Sequence, residues 1–201
     1  MSVFFGKITR AIKLENGDAS LEKLGCECIS ACGRIEAVNM EKFWIIKGEL
    51  HMCLICNRIE MIKKGENPYF VKELETGYVV IGDNQHFYGY ALFLYKNHKY
   101  SELFQMDIEE RTKFMQEMTI VAEAVSKAFK PEKMNYELLG MGDAHLHWHL
   151  YPRVEGDIEN YGNHGRGPVW WYPMEKMYGD DCRPSGEELR EMKEKLLVEL
   201  N

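Results

Sequence analysis

Strict alternation of polar and apolar residues marks positions 145–150, where three histidines alternate with leucine and tryptophan side chains. A period of two residues predicts a β-strand, because successive side chains of a strand point to opposite faces of a sheet. One face of this strand would be apolar and able to pack on a core, while the other would present a row of imidazoles. Burying imidazoles is costly unless their nitrogen atoms have partners. The row therefore indicates a ligand, a metal or a reaction.

Elements with clear periodicity are predicted on both sides of that strand. Aromatic and β-branched residues next to turn residues predict strands at 68–75, 78–81, 88–95 and 135–139. Asp107 and Glu110 can cap a helix whose apolar positions recur at helical spacing up to Pro131. Residues 135–139 and 145–151 are predicted to pair as a hairpin. An antiparallel sheet with a helix on one face makes this an α+β domain.

The first 51 residues carry no motif of known role. Apolar residues at helical spacing predict one short amphipathic helix within residues 20–38. Cys26, Cys28 and Cys32 lie in the same stretch, but their spacing fits neither common zinc pattern. We interpret these three cysteines as reduced, partly buried thiols.

The last part of the chain combines a glycine-rich stretch with a predicted helix. Residues 157–178 are rich in glycine, asparagine and aromatic side chains, including Trp170 and Trp171. This composition favours a tail that packs on the core, although it would also suit the wall of a ligand site or a subunit contact. Ser185 and Glu188 form a capping box ahead of the C-terminal helix.

Composition narrows the class of protein. The 201 residues, of which 45% are hydrophobic, are enough for a single core. A net charge of −7 argues against binding of a nucleic-acid polymer, although a local site on an acidic protein can still attract a small anion. No apolar stretch is long enough to cross a membrane and no secretory pattern opens the chain. We therefore expect a cytoplasmic protein whose six cysteines are thiols or metal ligands.

The histidine-rich strand resembles the signature of the histidine triad (HIT) family. That signature has three histidines alternating with apolar residues, often followed by Pro-Arg, and residues 145–153 read His-Leu-His-Trp-His-Leu-Tyr-Pro-Arg. The resemblance covers about residues 52–153. It implies a HIT-like antiparallel sheet of about five strands, with 1–51 as an N-terminal extension, 154–201 as a C-terminal loop and helix, and a homodimer. A half-buried strand or an accidental metal-binding surface is the alternative interpretation.

The resemblance also implies a reaction. The middle histidine of the family attacks the α-phosphate of a nucleotide and forms a nucleotidyl-histidine intermediate, which here assigns the nucleophile to His147. His149 would orient the phosphate and the leaving group, with Asn135 as a further donor. Implied substrates are dinucleoside polyphosphates, such as diadenosine tetraphosphate, or nucleoside phosphoramidates. A nucleotidyltransferase or phosphorylase and a non-catalytic nucleotide-binding regulator remain alternatives to the hydrolase.

A metal site is suggested by Cys53 and Cys56, whose spacing is that of half a tetrahedral zinc site. A pair of redox thiols is the alternative. Zinc-containing HIT proteins add a histidine after the third strand and the first histidine of the triad, which implies His98 and His145 as the other ligands. Four protein ligands leave no open position, so the Zn²⁺ would be structural.

Some positions match the family less closely. The family places an acidic or amide residue after the second strand to bind the ribose hydroxyls, and Asp83 falls there, although Asp83-Asn84 would also suit a turn. A Gly-His step is frequent in the third strand of the family, where this chain has Gly89-Tyr90. The Ala-Gly-Gln run before the triad is reduced here to residues 142–144, which leaves the phosphate contacts of that loop undetermined.

Overall fold

A computed structural model of the protein describes residues 43–46, 49–162 and 164–201, with side chains described from residue 53 onward. The chain divides into two compact units, residues 1–53 and 54–201. In the first unit, strands β1 (Phe43–Ile46) and β2 (Glu49–Met52) pair as an antiparallel hairpin. The helix predicted within residues 20–38, with Cys26, Cys28 and Cys32, lies outside the described residues.

The second unit is an antiparallel sheet with helices. Its elements are α1 (Leu54–Lys63), β3 (Phe70–Glu73), β4 (Gly77–Ile81), β5 (Ala91–Tyr95), α2 (Ile108–Phe129), β6 (Lys133–Leu138), β7 (His147–Arg153), α3 (Met174–Met177) and α4 (Gly186–Glu199). The five strands of the sheet lie in the order β3-β4-β5-β7-β6, and every neighbouring pair is antiparallel. The predicted α+β class, with about five antiparallel strands and a helix on one face, is confirmed.

Helix α2 begins and ends where its sequence dictates. The Asp107 carboxylate accepts a hydrogen bond from the Glu110 backbone N–H at 2.9 Å, which satisfies one of the free donors of the first turn. At the other end Lys130 adopts a left-handed conformation with φ 52°, immediately before Pro131. Proline lacks the N–H that the next helical turn would need, so the helix stops there.

The two faces of the sheet have different roles. One face packs against α2 and α4 through a buried apolar core. Side chains of this core include Phe93, Trp148 and Leu150 from the sheet, Phe114 and Val121 from α2, and Met192 and Leu196 from α4. Because side chains alternate along each strand, His147 and His149 lie on the opposite face from Trp148 and Leu150.

The triad strand starts later than predicted. The alternating pattern placed residues 145–151 in one strand, but β7 begins at His147 and continues to Arg153. His145 therefore lies just before the strand, where its ring Nε2 lies 2.7 Å from the carbonyl oxygen of Tyr95 at the end of β5. This contact turns the His145 ring toward the end of β5, away from the row formed by His147 and His149.

The C-terminal segment packs on the triad side of the sheet. Arg153 is buried, and its guanidinium donates to both carboxylate oxygens of Asp157 at 2.6 and 2.8 Å and to the carbonyl of Gly167 at 2.6 Å. Trp170 donates its indole N–H to Glu137 of β6 at 2.7 Å. This part of the chain is thus fixed to strands β6 and β7. Across the described residues, no helix is long and apolar enough to span a bilayer.

Candidate functional site

His147 and His149 share one sheet face because of the register between β5 and β7. Leu94 pairs with His147 and Leu92 pairs with His149, so both imidazoles project from the face opposite α2 and α4. His147 is 5% exposed and His149 is half-buried. The centroids of the two rings are 4.7 Å apart, with the rings at 63° to each other. Two imidazoles that both face away from the main core form the centre of a candidate reaction site.

A backbone carbonyl determines the tautomer of His147. Its Nδ1 lies 2.6 Å from the carbonyl oxygen of His145. A carbonyl oxygen can only accept, so Nδ1 carries the proton and Nε2 carries the lone pair. Burial lowers the pKa of His147 below its usual 6.5, which keeps the ring neutral at physiological pH. A neutral imidazole with a fixed, unprotonated nitrogen is a competent nucleophile.

His149 is held by a side chain instead. Its Nδ1 lies 2.6 Å from the hydroxyl oxygen of Tyr90, which immediately precedes β5. Burial, together with the repulsion that a protonated His147 would exert, lowers the pKa of His149 from 6.5 to about 3. His149 is therefore also neutral at physiological pH. Burial raises the pKa of Tyr90 well above 10, so this phenol stays protonated.

The four predicted metal ligands come together. Ligand atoms of Cys53, Cys56, His98 and His145 all lie within 4.8 Å of one another, so the cluster could hold a metal ion. The Cys56 Sγ is 3.1 Å from Nδ1 of His98 and 3.4 Å from Nδ1 of His145. The Nε2–H of His145 donates to the Tyr95 carbonyl, which leaves the Nδ1 lone pair directed at the cluster. Such an outer hydrogen bond is typical of a histidine that ligates a metal.

Asp143 joins the cluster to the triad strand and was not predicted. Its carboxylate accepts from the backbone N–H groups of Leu54 and Ile55, at 2.7 and 3.3 Å, in the first turn of α1. The same carboxylate accepts from the His145 N–H at 3.2 Å. A carboxylate at a helix N-terminus is favoured because the free N–H groups there carry partial positive charge. Asp143 thus positions both the helix that carries Cys56 and the backbone of His145.

Asp83, the predicted ribose ligand, is paired with an arginine that the sequence pattern did not reveal. Arg58 of α1 binds both carboxylate oxygens of Asp83, with 2.8 Å between Nη1 and Oδ1. Both side chains are about one quarter to one third exposed, at 26% and 30%. A bidentate pair fixes the orientation of the carboxylate. Arg58 lies two residues after Cys56, a signal that becomes visible only once α1 is known to face Asp83.

Asn135 lies on the same sheet face as the triad, at the edge of the sheet. In the β6–β7 register it pairs with Tyr151, and its neighbour on that face, Glu137, pairs with His149. Asn135 is half-buried. It also lines an open groove between β6 and the loop at residues 165–168. Asn135 is therefore two residues from the position that faces His149, on an accessible surface.

Comparison with known proteins agrees with the signature in the sequence. The model of the HIT domain family matches residues 66–156. A histidine triad protein from Bradyrhizobium japonicum superposes with a TM-score of 0.55 at 19% identity, covering 66% of this chain and 90% of that one. A histidine triad protein from Sinorhizobium meliloti gives a TM-score of 0.54 at 20% identity, covering 69% and 93%. A hypothetical histidine triad nucleotide-binding protein from Sulfolobus tokodaii gives 0.53 at 16% identity, covering 72% and 91%. No curated protein is significantly similar in sequence. At these identities, the structural likeness shows the fold.

Proposed function

Residues 66–156 form a histidine triad (HIT) domain, and on this premise we propose that the protein binds a nucleotide and cleaves it at the α-phosphate, with His147 as nucleophile. The observation that carries the proposal is the 2.6 Å contact between His147 Nδ1 and the His145 carbonyl. This contact leaves the Nε2 lone pair available on the sheet face opposite α2 and α4. Among the described residues, no hydrogen-bond partner occupies that Nε2.

The proposed reaction has two displacements. The lone pair of His147 Nε2 forms a bond to the α-phosphorus, and the bond from phosphorus to the leaving-group oxygen or nitrogen breaks, so that the electron pair departs with the leaving group. The ring gains positive charge, which the His145 carbonyl stabilises at Nδ1. Water then attacks phosphorus, the P–N bond breaks, and its electron pair returns to Nε2. The proton of the attacking water leaves to solvent, and the product is a nucleoside monophosphate.

Neighbouring groups would recognise the nucleotide. We assign His149 and Asn135 as donors to the phosphoryl oxygens, on which negative charge develops during both displacements. Asp83 would accept hydrogen bonds from the ribose hydroxyls, since a carboxylate suits two adjacent donors. Arg58 would hold that carboxylate in one orientation. Dinucleoside polyphosphates and nucleoside phosphoramidates are the substrate classes that this chemistry fits.

We propose Zn²⁺ as the metal for the cluster of two cysteines and two histidines. Thiolate and imidazole ligands in equal number are a donor set that Zn²⁺ binds tetrahedrally. Four protein ligands would leave no position for water, so the ion would be structural and would take no part in the displacement. Its effect would be to hold Cys53 and Cys56 against His98 and the residue that precedes the triad strand.

We also propose which part of the chain has which role. Residues 52–153 would form the domain that binds and cleaves the nucleotide. Residues 1–51 would be an extension, and residues 154–201 a tail that supports the triad face. Two copies would form a homodimer. Size-exclusion chromatography with light scattering tests the last point, because a dimer doubles the molar mass measured for a single chain.

Intact-mass spectrometry tests the reaction directly. The wild type and His147→Ala are incubated briefly with diadenosine tetraphosphate or adenosine phosphoramidate, and AMP is measured in parallel. We expect a transient mass increase of one adenylyl group and release of AMP in the wild type, with loss of both in His147→Ala. His164→Asn is the matched control, because His164 is an exposed histidine with no part in the proposed reaction and asparagine tolerates its positive φ of 53°.

The other outcomes separate the alternatives. An adduct that transfers its nucleotide to added phosphate or sugar phosphate faster than to water would assign a transferase. Binding of nucleotide with no adduct and no AMP from either substrate would overturn the hydrolase proposal and favour a binding protein.

A further inference from the structure

Tyr90 occupies the position where the family resemblance led us to look for a histidine, and its hydroxyl contacts the third histidine of the triad. We propose that Tyr90 is a positioning residue, which fixes His149 as the tautomer with its proton on Nε2. The tautomer is assigned from the contacts of the two side chains and does not depend on the proposed function. Its consequence for catalysis rests on the proposed function.

The direction of the hydrogen bond decides the tautomer. The Tyr90 hydroxyl oxygen and His149 Nδ1 are 2.6 Å apart. The Tyr90 hydroxyl also lies beside the hydroxyl of Tyr151, so it has two possible acceptors. An imidazole nitrogen is a far stronger base than the oxygen of a neutral phenol, and it is therefore the better acceptor for the Tyr90 proton. Donation from the Tyr90 hydroxyl to the Nδ1 lone pair is thus favoured, and the proton of the neutral His149 lies on Nε2.

Packing holds the Tyr90 ring in the orientation that this bond requires. The ring is 6% exposed and stacks on Tyr151, with 4.3 Å between centroids and 4° between planes. The ring of His149 is parallel to both, at 5° to Tyr90 and 2° to Tyr151. A side chain with a locked rotamer and a fixed hydrogen bond can hold its partner within the narrow geometric limits that catalysis needs.

The loop before Tyr90 is shaped around it. The Tyr90 carbonyl accepts from the Gly82 N–H at 2.9 Å and from the Gln85 side chain at 3.0 Å. A Cβ atom on Gly82 would lie 2.1 Å from the Tyr90 ring, so only glycine allows this approach. Gly89 has φ 90°, and a Cβ there would meet the Phe129 ring at 2.4 Å. Gly82 thus makes room for the Tyr90 ring, and Gly89 makes room for Phe129 while it takes a conformation that suits glycine.

The result is a pair of neutral imidazoles in complementary states. His147 presents an Nε2 lone pair, while His149 presents an Nε2–H, and their ring centroids are 4.7 Å apart. The first can attack phosphorus and the second can donate to a phosphoryl or leaving-group atom. A tyrosine at position 90 keeps this arrangement over a wide pH range, because a phenol stays protonated where a histidine would titrate.

Nitrogen-15 NMR of histidine-labelled protein tests the tautomer without any need for turnover. Long-range proton–nitrogen correlation distinguishes Nε2–H from Nδ1–H in a neutral ring, and His149→Gln assigns the signal. We expect His149 of the wild type to be the Nε2–H tautomer. A wild-type spectrum with the proton on Nδ1 would overturn the proposal, whatever the variants do.

Tyr90→Phe then tests the function of the hydroxyl. It keeps the stacked ring but removes the donor, so we expect the His149 signal to shift toward a mixture of tautomers. For AMP release we expect kcat to fall about 10–100-fold, with KM changed less than about threefold. The matched control is Tyr88→Phe, which removes an exposed hydroxyl two residues before Tyr90. We expect that control to leave the His149 tautomer unchanged.

The outcomes distinguish this proposal from the proposed function. An Nε2–H tautomer that is lost in Tyr90→Phe, in a protein that forms no nucleotidyl adduct, would support the role of Tyr90 and overturn the reaction. A tautomer and a kcat that are both unchanged in Tyr90→Phe would overturn the role of Tyr90 and leave the reaction standing.

Discussion

The carbonyl oxygen of His145 accepts a hydrogen bond from Nδ1 of His147 at 2.6 Å. One residue therefore contributes its side chain to the metal-competent cluster and its backbone to the candidate nucleophile. Any change that shifts the His145 backbone also moves the acceptor that keeps the proton on Nδ1 of His147. The metal cluster and the reaction site are coupled through two residues of chain, although the metal would not contact the substrate.

The first prediction follows from this coupling. Cys53→Ser removes one of the four ligands, so we expect zinc measured by elemental analysis to fall from about one ion per chain toward zero and the melting temperature to decrease. We also expect adduct formation at His147 to decrease, because His145 would lose the ion that helps to fix its position. Cys182→Ser is the control, since Cys182 lies in the C-terminal tail and donates weakly to the Lys176 carbonyl. Unchanged zinc content in Cys53→Ser would contradict the site.

The second prediction concerns the Asp83–Arg58 pair. If Asp83 binds the ribose, Asp83→Ala should weaken binding of AMP by about tenfold or more, as expected for lost hydrogen bonds to a charged group. Binding of 2′,3′-dideoxy-AMP should change less than about twofold. Isothermal titration calorimetry with both nucleotides measures the difference, and equal losses would count against the ribose role.

Arg58→Met tests whether the orientation of the Asp83 carboxylate matters in addition to its presence. Methionine keeps much of the aliphatic stem of the arginine but cannot bind the carboxylate. We expect this variant to weaken AMP binding less than Asp83→Ala does, because the carboxylate remains but is no longer held in one orientation. A loss larger than that of Asp83→Ala would instead assign Arg58 a contact of its own with the nucleotide.

The sheet could be predicted from the sequence because its strands obey simple rules. The alternation of polar and apolar residues along β7 and the turn residues between β3 and β4 are local signals. Both β3–β4 and β5–β7 then pair as antiparallel neighbours in the sheet. The predicted start of the triad strand at His145 was wrong by two residues. The His145 ring is held by the Tyr95 carbonyl, 50 residues away in the chain, and no local sequence pattern predicts such a contact.

Residues of the candidate site could be predicted from the sequence only where they belong to a recognisable motif. Cys53, Cys56 and the alternating histidines stand out in the sequence, the family resemblance adds His98, and the structure brings the four metal ligands together. Arg58 and Asp143 have no such spacing: the partners of Arg58 and of Asp143 lie 25 and up to 89 residues away in the chain. Both act by hydrogen bonds whose geometry exists only in the folded chain, so composition and periodicity give no sign of them.

The third prediction concerns stability at a site far from the triad. The buried carboxylate of Glu117 on α2 accepts from the Glu75 N–H at 3.0 Å, the Thr76 N–H at 2.9 Å and the Thr76 hydroxyl. Glu117→Gln turns one acceptor into a donor that faces another donor, so we expect a loss of about 1–3 kcal/mol in the free energy of unfolding. Urea denaturation at pH 7 measures this loss. The exposed Glu123→Gln on the same helix should cost much less, and equal losses in the two variants would contradict the buried cap.

The last prediction concerns the dependence of stability on pH. Burial, with a contribution from the charge of His147, lowers the pKa of His149 to about 3, whereas in the unfolded chain it lies near 6.5. Between these values the unfolded state binds a proton that the folded state does not, so stability falls as the pH falls through 6.5 and continues to fall toward 3. From pH 7 to pH 5 this single group accounts for a loss of about 2 kcal/mol.

His149→Gln cannot bind that proton, so its unfolding free energy should decrease by about 2 kcal/mol less than that of the wild type over the same interval. Protonation of the metal ligands affects both proteins alike and cancels in the comparison. Urea denaturation at the two pH values gives the difference, and the same loss in both proteins would mean that His149 titrates normally in the folded state.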